Sequence, residues 1–104
     1  MINYFFINGE CWKVFCVPPN SYRLLNNDGS YSLGCCNDFT KSIYINKDLK
    51  QNKSKMYKVL CHEIVHSIIF SYDILLNAYQ EEVLANIVAT YGKYIINTAN
   101  RICS

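Results

Sequence analysis

Residues 61–66 of this chain read Cys61-His62-Glu63-Ile64-Val65-His66, and their surroundings decide how the second half folds. The stretch from Ser54 to Tyr72 contains neither Gly nor Pro. At 100° per residue, Leu60, Ile64 and Ile68 share a helical face, and Tyr57, Cys61, Val65 and Ile69 widen it. A helix over 54–72 is therefore expected, apolar on most sides and hence buried, with Ser54 as its N-cap. His62 and His66 are the only two histidines in the sequence. On a helix, positions i and i+4 point the same way, so both imidazoles can reach one metal ion. Glu63 projects about 100° from His62, where it reaches a metal-bound water rather than the metal.

That pattern suits one kind of chemistry. Zinc lowers the pKa of its water towards neutrality, and a carboxylate beside it can accept the released proton and pass it to a leaving amine. The bland alternative is a set of satisfied core groups or an exposed helix edge. Three ionisable side chains on an apolar helix are costly without a compensating role, which favours the metal reading. A catalytic zinc site also takes a third protein ligand.

Working outward, Asp73 to Asn77 is a short connection, and a second helix is expected from Asn77 or Ala78 to Asn97, antiparallel to the first. Glu81 and Glu82 fall 15 and 16 residues after His66. The first helix descends from His66 to its end about as far as the second climbs to Glu82, so the levels match. Glu82 is favoured as the ligand because Asn86 follows one turn later. Ala85, Ala89 and Gly92 flank that face and let two helices approach closely. Glu81 points off this stripe, and a solvated first helical turn favoured by the helix dipole accounts for it.

His62-Glu63-Ile64-Val65-His66 followed by Glu82-Val83-Leu84-Ala85-Asn86 resembles the gluzincin metallopeptidases, which carry H-E-x-x-H on one helix and E-x-x-x-D on the next. The short form, with Ala85, Asn86 and Ala89 after Glu82, is most similar to the compact ImmA/IrrE-like and minigluzincin proteins, many of them encoded by phages or mobile elements. The resemblance spans residues 42–97. It implies a minimal zincin fold, a Zn2+ cofactor held by His62, His66 and Glu82, and Glu63 as general base for peptide-bond hydrolysis. It also implies that a strand, here Ser42 to Asn46, precedes the active-site helix and lines the substrate cleft. Asn86 departs from the family's Asp. It can still accept a hydrogen bond from a ligand histidine but lacks the charge that raises ligand basicity.

The first half reads as strands. Ile2 to Ile7 and Trp12 to Val17 are aromatic and β-branched runs around Asn8-Gly9, a strong hairpin signal. Pro18-Pro19 ends the second run. Tyr22 to Leu25 and Tyr31 to Cys35 are expected to pair around Asn27-Asp28-Gly29, with one more strand at Ser42 to Asn46. The expected fold is thus α+β: a small antiparallel or mixed N-terminal sheet packed on two antiparallel C-terminal helices, one domain over residues 1–104.

Composition narrows the function. With 51% hydrophobic and 17% charged residues, the 104-residue chain suits a packed core. A net charge of +2 gives no electrostatic case for nucleic acid. No apolar stretch approaches a membrane span, and residues 1–7 lack the basic start of a secretory signal, so a cytoplasmic location is expected. The six cysteines (Cys11, Cys16, Cys35, Cys36, Cys61 and Cys103) are then expected as free thiols, since no C-x-x-C pair exists for a second zinc site. The expected partner is a peptide or protein substrate, with strand addition along Ser42 to Asn46 as its mode of docking. Two other readings stay open: a zinc-holding interaction module without turnover, and a disulfide-stapled secreted domain. Tyr44, Tyr79, Tyr91 and Tyr94 are candidates to stabilise an oxyanion, though most are expected to be packing residues.

Overall fold

A computed structural model describes residues 3–104 of the chain. Strand β1 (Asn3–Ile7) and strand β2 (Glu10–Val17) form an antiparallel hairpin. Asn8 and Gly9 sit at φ 50° and 78°, the two left-handed residues that a tight hairpin turn needs. The expected strand start at Ile2 lies outside the described residues. Strand β3 (Gly34–Asn37) and strand β4 (Ser42–Asn46) are also antiparallel. β4 runs parallel to β2, so the mixed sheet has the order β1-β2-β4-β3. Helix α1 (Lys53–Ser71) and helix α2 (Ala78–Cys103) follow. The fold is α+β, as the patterning indicates.

Several boundaries differ from the expectation, each for a local reason. Tyr22–Leu24 is a 3-10 turn and not a strand, because the Ser21 hydroxyl accepts the Arg23 N–H at 3.2 Å. Only a single bridge, Leu25 to Tyr31, spans the following turn. There Asp28 Oδ1 accepts both the Ser30 N–H (2.9 Å) and the Ser30 hydroxyl (2.6 Å), while the Asn26 and Ser32 N–H groups bond across the turn to the Ser30 and Leu24 carbonyls, both at 2.8 Å, so the pairing stops after one bridge. Asn52, rather than Ser54, caps α1 by accepting the Lys55 N–H at 3.1 Å. Asn77 and Gln80 form a reciprocal capping box at the start of α2. α2 then continues past Asn97 to Cys103, since no Gly or Pro after Gly92 stops it.

Helix α1 is the middle layer. Its sheet-facing side packs Met56, Val59, Leu60 and Ile64 on Ile43, Ile45 and Leu49. Its other side packs Val65 and Ile69 on Ala85 of α2, with Leu76 and Val88 closing the edges. The expected all-round burial therefore holds for the second half of α1, while the first turn around Lys53–Lys55 is exposed. Fully buried Trp12 donates its indole N–H to Ser71 Oγ at 2.7 Å, which ties the hairpin to the end of α1. No helix among the described residues is long and apolar enough to cross a membrane.

Candidate metal centre

Two helices supply the site. Along α1, the i, i+4 spacing brings the rings of His62 and His66 to 4.9 Å between centroids, with Nε2 to Nε2 at 3.2 Å. The short α1–α2 connection, with Asp73 at φ 50°, returns α2 alongside. Glu82 then meets both rings: its Oε2 is 3.1 Å from His62 Nε2 and its Oε1 is 2.9 Å from His66 Nε2. One ligand atom from each of the three residues lies within 4.8 Å of the others.

The far side of each ring is also held. His62 Nδ1 stands 3.0 Å from Asn86 Oδ1, and His66 Nδ1 stands 2.6 Å from Glu81 Oε1. Neither oxygen has a proton to give, so each ring donates its Nδ1–H outward and leaves its Nε2 lone pair inward. Two lone pairs and a carboxylate then converge on one point. Neutral rings and a carboxylate so placed repel unless a cation, whether a metal ion or a proton, stands between them. Donors about 2.0–2.1 Å from a tetrahedral zinc stand roughly 3.3 Å apart. His62 Nε2 and His66 Nε2 stand 3.2 Å apart and each lies 2.9–3.1 Å from one of the two Glu82 oxygens, near that spacing, so the donor set suits a zinc ion. Over half of the Glu82 side chain is exposed, which keeps the point open on one side.

Glu63 is buried beside this group, 8% exposed. Burial raises its carboxyl pKa, His62 and His66 pull it back down, and Glu82 pushes it up again. Gly34 makes this burial possible. A Cβ at Gly34 would lie 2.8 Å from Val59 Cγ1, 3.1 Å from Glu63 Cγ and 3.2 Å from Ile45 Cδ1. The bare backbone of β3 therefore presses directly onto Glu63. A lone Gly in a strand is the sequence signal for such close approach.

A cleft of about 810 Å3 opens over the group, walled by residues 31–36 on one side and by the two helices on the other. This corrects the expected docking strand. β4 is paired on both edges, to β2 and β3, and has no free edge to offer. β3 is the edge strand, and Leu33–Cys36 line the cleft. Tyr44 stacks on Phe15 within the sheet at 5.7 Å, and Tyr79, Tyr91 and Tyr94 are exposed outside the cleft. The tyrosine that does line it is Tyr31.

Glu81 also departs from its expected role. It is not a solvated first-turn residue; its side chain is 17% exposed and holds His66. All six cysteines are unpaired, and none belongs to the His62, His66 and Glu82 group. Burial, with the nearby Glu63 charge, raises the Cys35 and Cys36 thiol pKa values. Comparison with protein-family models, curated proteins and solved structures returns no match.

Proposed function

We propose that the chain is a zinc-dependent peptide hydrolase. The observation that carries this reading is the convergence of His62 Nε2, His66 Nε2 and the Glu82 carboxylate beside a buried Glu63. His62, His66 and Glu82 would hold the ion, oriented by Asn86 and Glu81. Zinc, when bound, supplies a Lewis acid that acidifies water and polarises a carbonyl. Glu63 accepts a proton from the attacking water and returns it to the departing amine. Its burial supports this role, because a carboxyl with a raised pKa is better matched to proton exchange near neutrality. The backbone of β3 offers free hydrogen-bonding groups to an extended substrate in the cleft.

A second reading, a zinc-containing interaction module without turnover, shares the ligands but assigns nothing to Glu63. Incubating the zinc-loaded chain with a broad peptide library separates the two. The peptidase reading predicts new amino termini that Glu63→Gln abolishes. Equal product from Glu63→Gln, or none from the unaltered chain, leaves the interaction module.

A further inference from the structure

We infer that the groove holding His62, His66 and Glu82 continues into a cationic subsite, and that the peptide it takes presents a carboxylate there. This rests on the peptidase reading and names its substrate class. On α1, Ser54, Lys58, His62 and His66 form one row at i, i+4 spacing. On antiparallel α2, Glu82, Asn86, Ala89 and Lys93 form the facing row. The two rows wall one groove, with the metal-binding group at one end and lysines at the other. A second hollow of about 460 Å3 continues the cleft, lined by Lys53, Ser54, Tyr57 and Lys58 from α1 and by Thr90 and Lys93 from α2. Lys58, Ala89 and Thr90 border both cavities, so the two are continuous.

No carboxylate lines the second hollow. The ion pairs among the described residues involve Lys41 and the two histidines, and none of Lys53, Lys58 or Lys93. Lys93 Nζ sits 4.6 Å from the Tyr57 ring centroid, which holds that ammonium at the groove wall. Lys53, Lys58 and Lys93 border one hollow whose lining holds no opposing charge, so an anion entering it meets only cations. Lys58 is one turn from His62, a rise of about 6 Å, and Lys93 is about 16 Å along α2 from Glu82. An extended peptide advances about 3.3 Å per residue, so the carboxylate falls about two to five residues from the scissile bond, on one side only. It is an Asp or Glu side chain or the peptide's own C-terminus. A net charge of only +2 argues against a polyanion as the natural occupant.

The test measures binding, so that turnover is not required. Zinc-treated Glu63→Gln chain is screened by fluorescence polarisation against labelled ten-residue peptides, scanning Asp or Glu through each position, with free and amidated C-termini. The expected result is a preference for acid at one or two adjacent positions, at least tenfold over Asn or Gln. A Lys58→Glu, Lys93→Glu double variant should reduce it below twofold. Lys13→Glu, the same charge change on the far face of β2, should keep it. Loss on amidation alone identifies the C-terminal carboxylate as the occupant. The inference is overturned by binding without acid preference, by a preference that survives the double variant, by no peptide binding, or by single-stranded DNA that binds more tightly than the best peptide. Cleavage of the same peptides by the unaltered chain reports separately. Cleavage without acid preference sinks the subsite and spares the peptidase reading. Acid-selective binding without cleavage does the reverse.

Discussion

Gly34→Ala is a small change with a large expected effect. The new methyl would meet Val59 Cγ1 at 2.8 Å, Glu63 Cγ at 3.1 Å and Ile45 Cδ1 at 3.2 Å. Carbon atoms settle near 3.5–4.0 Å, so the closest of these contacts is at least about 0.7 Å too short. Val59 has little freedom to yield, because a β-branched side chain on a helix keeps one preferred rotamer. β3 must move instead, and it has four residues and one partner strand. Overpacking of this kind costs about 1–3 kcal/mol. For a domain of this size that is a fall in melting temperature of about 5–20 °C. Lifting β3 also uncovers Glu63, so activity should fall alongside stability. Thermal melts followed by circular dichroism measure the first effect. A double-mutant cycle with Val59→Ala isolates the cause, since removing Cγ1 should recover at least about 0.5 kcal/mol beyond additivity. A Gly34→Ala protein within about 0.5 kcal/mol of the parent, or strict additivity with Val59→Ala, would refute the close approach of β3 to Glu63.

Other expectations follow from the same geometry. Glu81→Gln keeps an acceptor for His66 but removes its charge, and should weaken zinc binding by about 10- to 100-fold in a chelator competition; an unchanged affinity would mean Glu81 contributes nothing to the site. Asn86→Asp should act in the opposite direction on His62, tightening zinc. In the metal-free chain, the raised Glu63 pKa means the fold prefers the neutral acid, so its contribution is present below the unfolded pKa of about 4.3 and is lost as pH rises through the folded value. Metal-free Glu63→Gln should therefore melt higher than the parent at neutral pH, with the gap closing below about pH 4; a constant gap would point to packing instead. Thiol titration of the denatured chain without reductant should find all six cysteines, and a mass shift on reduction would contradict the unpaired state.

Much of this architecture was legible in the residues, and the failures are instructive. Asn8-Gly9 announced its hairpin because a tight turn demands left-handed backbone that few residues adopt. The two histidines, Glu63 and Glu82 come together by helical rise alone, because a short connection leaves little choice of level. In the sequence Glu81 reads as solvated because its neighbour Glu82 fits the ligand stripe. A 100° offset leads away from the metal but not away from His66, whose outer nitrogen faces that side. Ser42–Asn46 was expected at the substrate because it precedes α1, but strand order is a non-local property. The later pairing of β3 placed β4 inside the sheet. Tyr22–Leu24 was expected as a strand on residue type alone, whereas the Ser21 cap settled it as a turn.

On the proposed function Glu82 would bind the ion and Glu63 would not, although both carboxylates stand beside the same two histidines. Elemental analysis of the purified chain, of Glu82→Ala and of Glu63→Gln tests it in one comparison. About one zinc per chain is expected in the parent and in Glu63→Gln, and a loss of metal with lowered stability in Glu82→Ala, because a bound ion would join α1 to α2. A parent with less than about half an equivalent of zinc would contradict a metal site at His62, His66 and Glu82. So would Glu63→Gln releasing the metal as readily as Glu82→Ala.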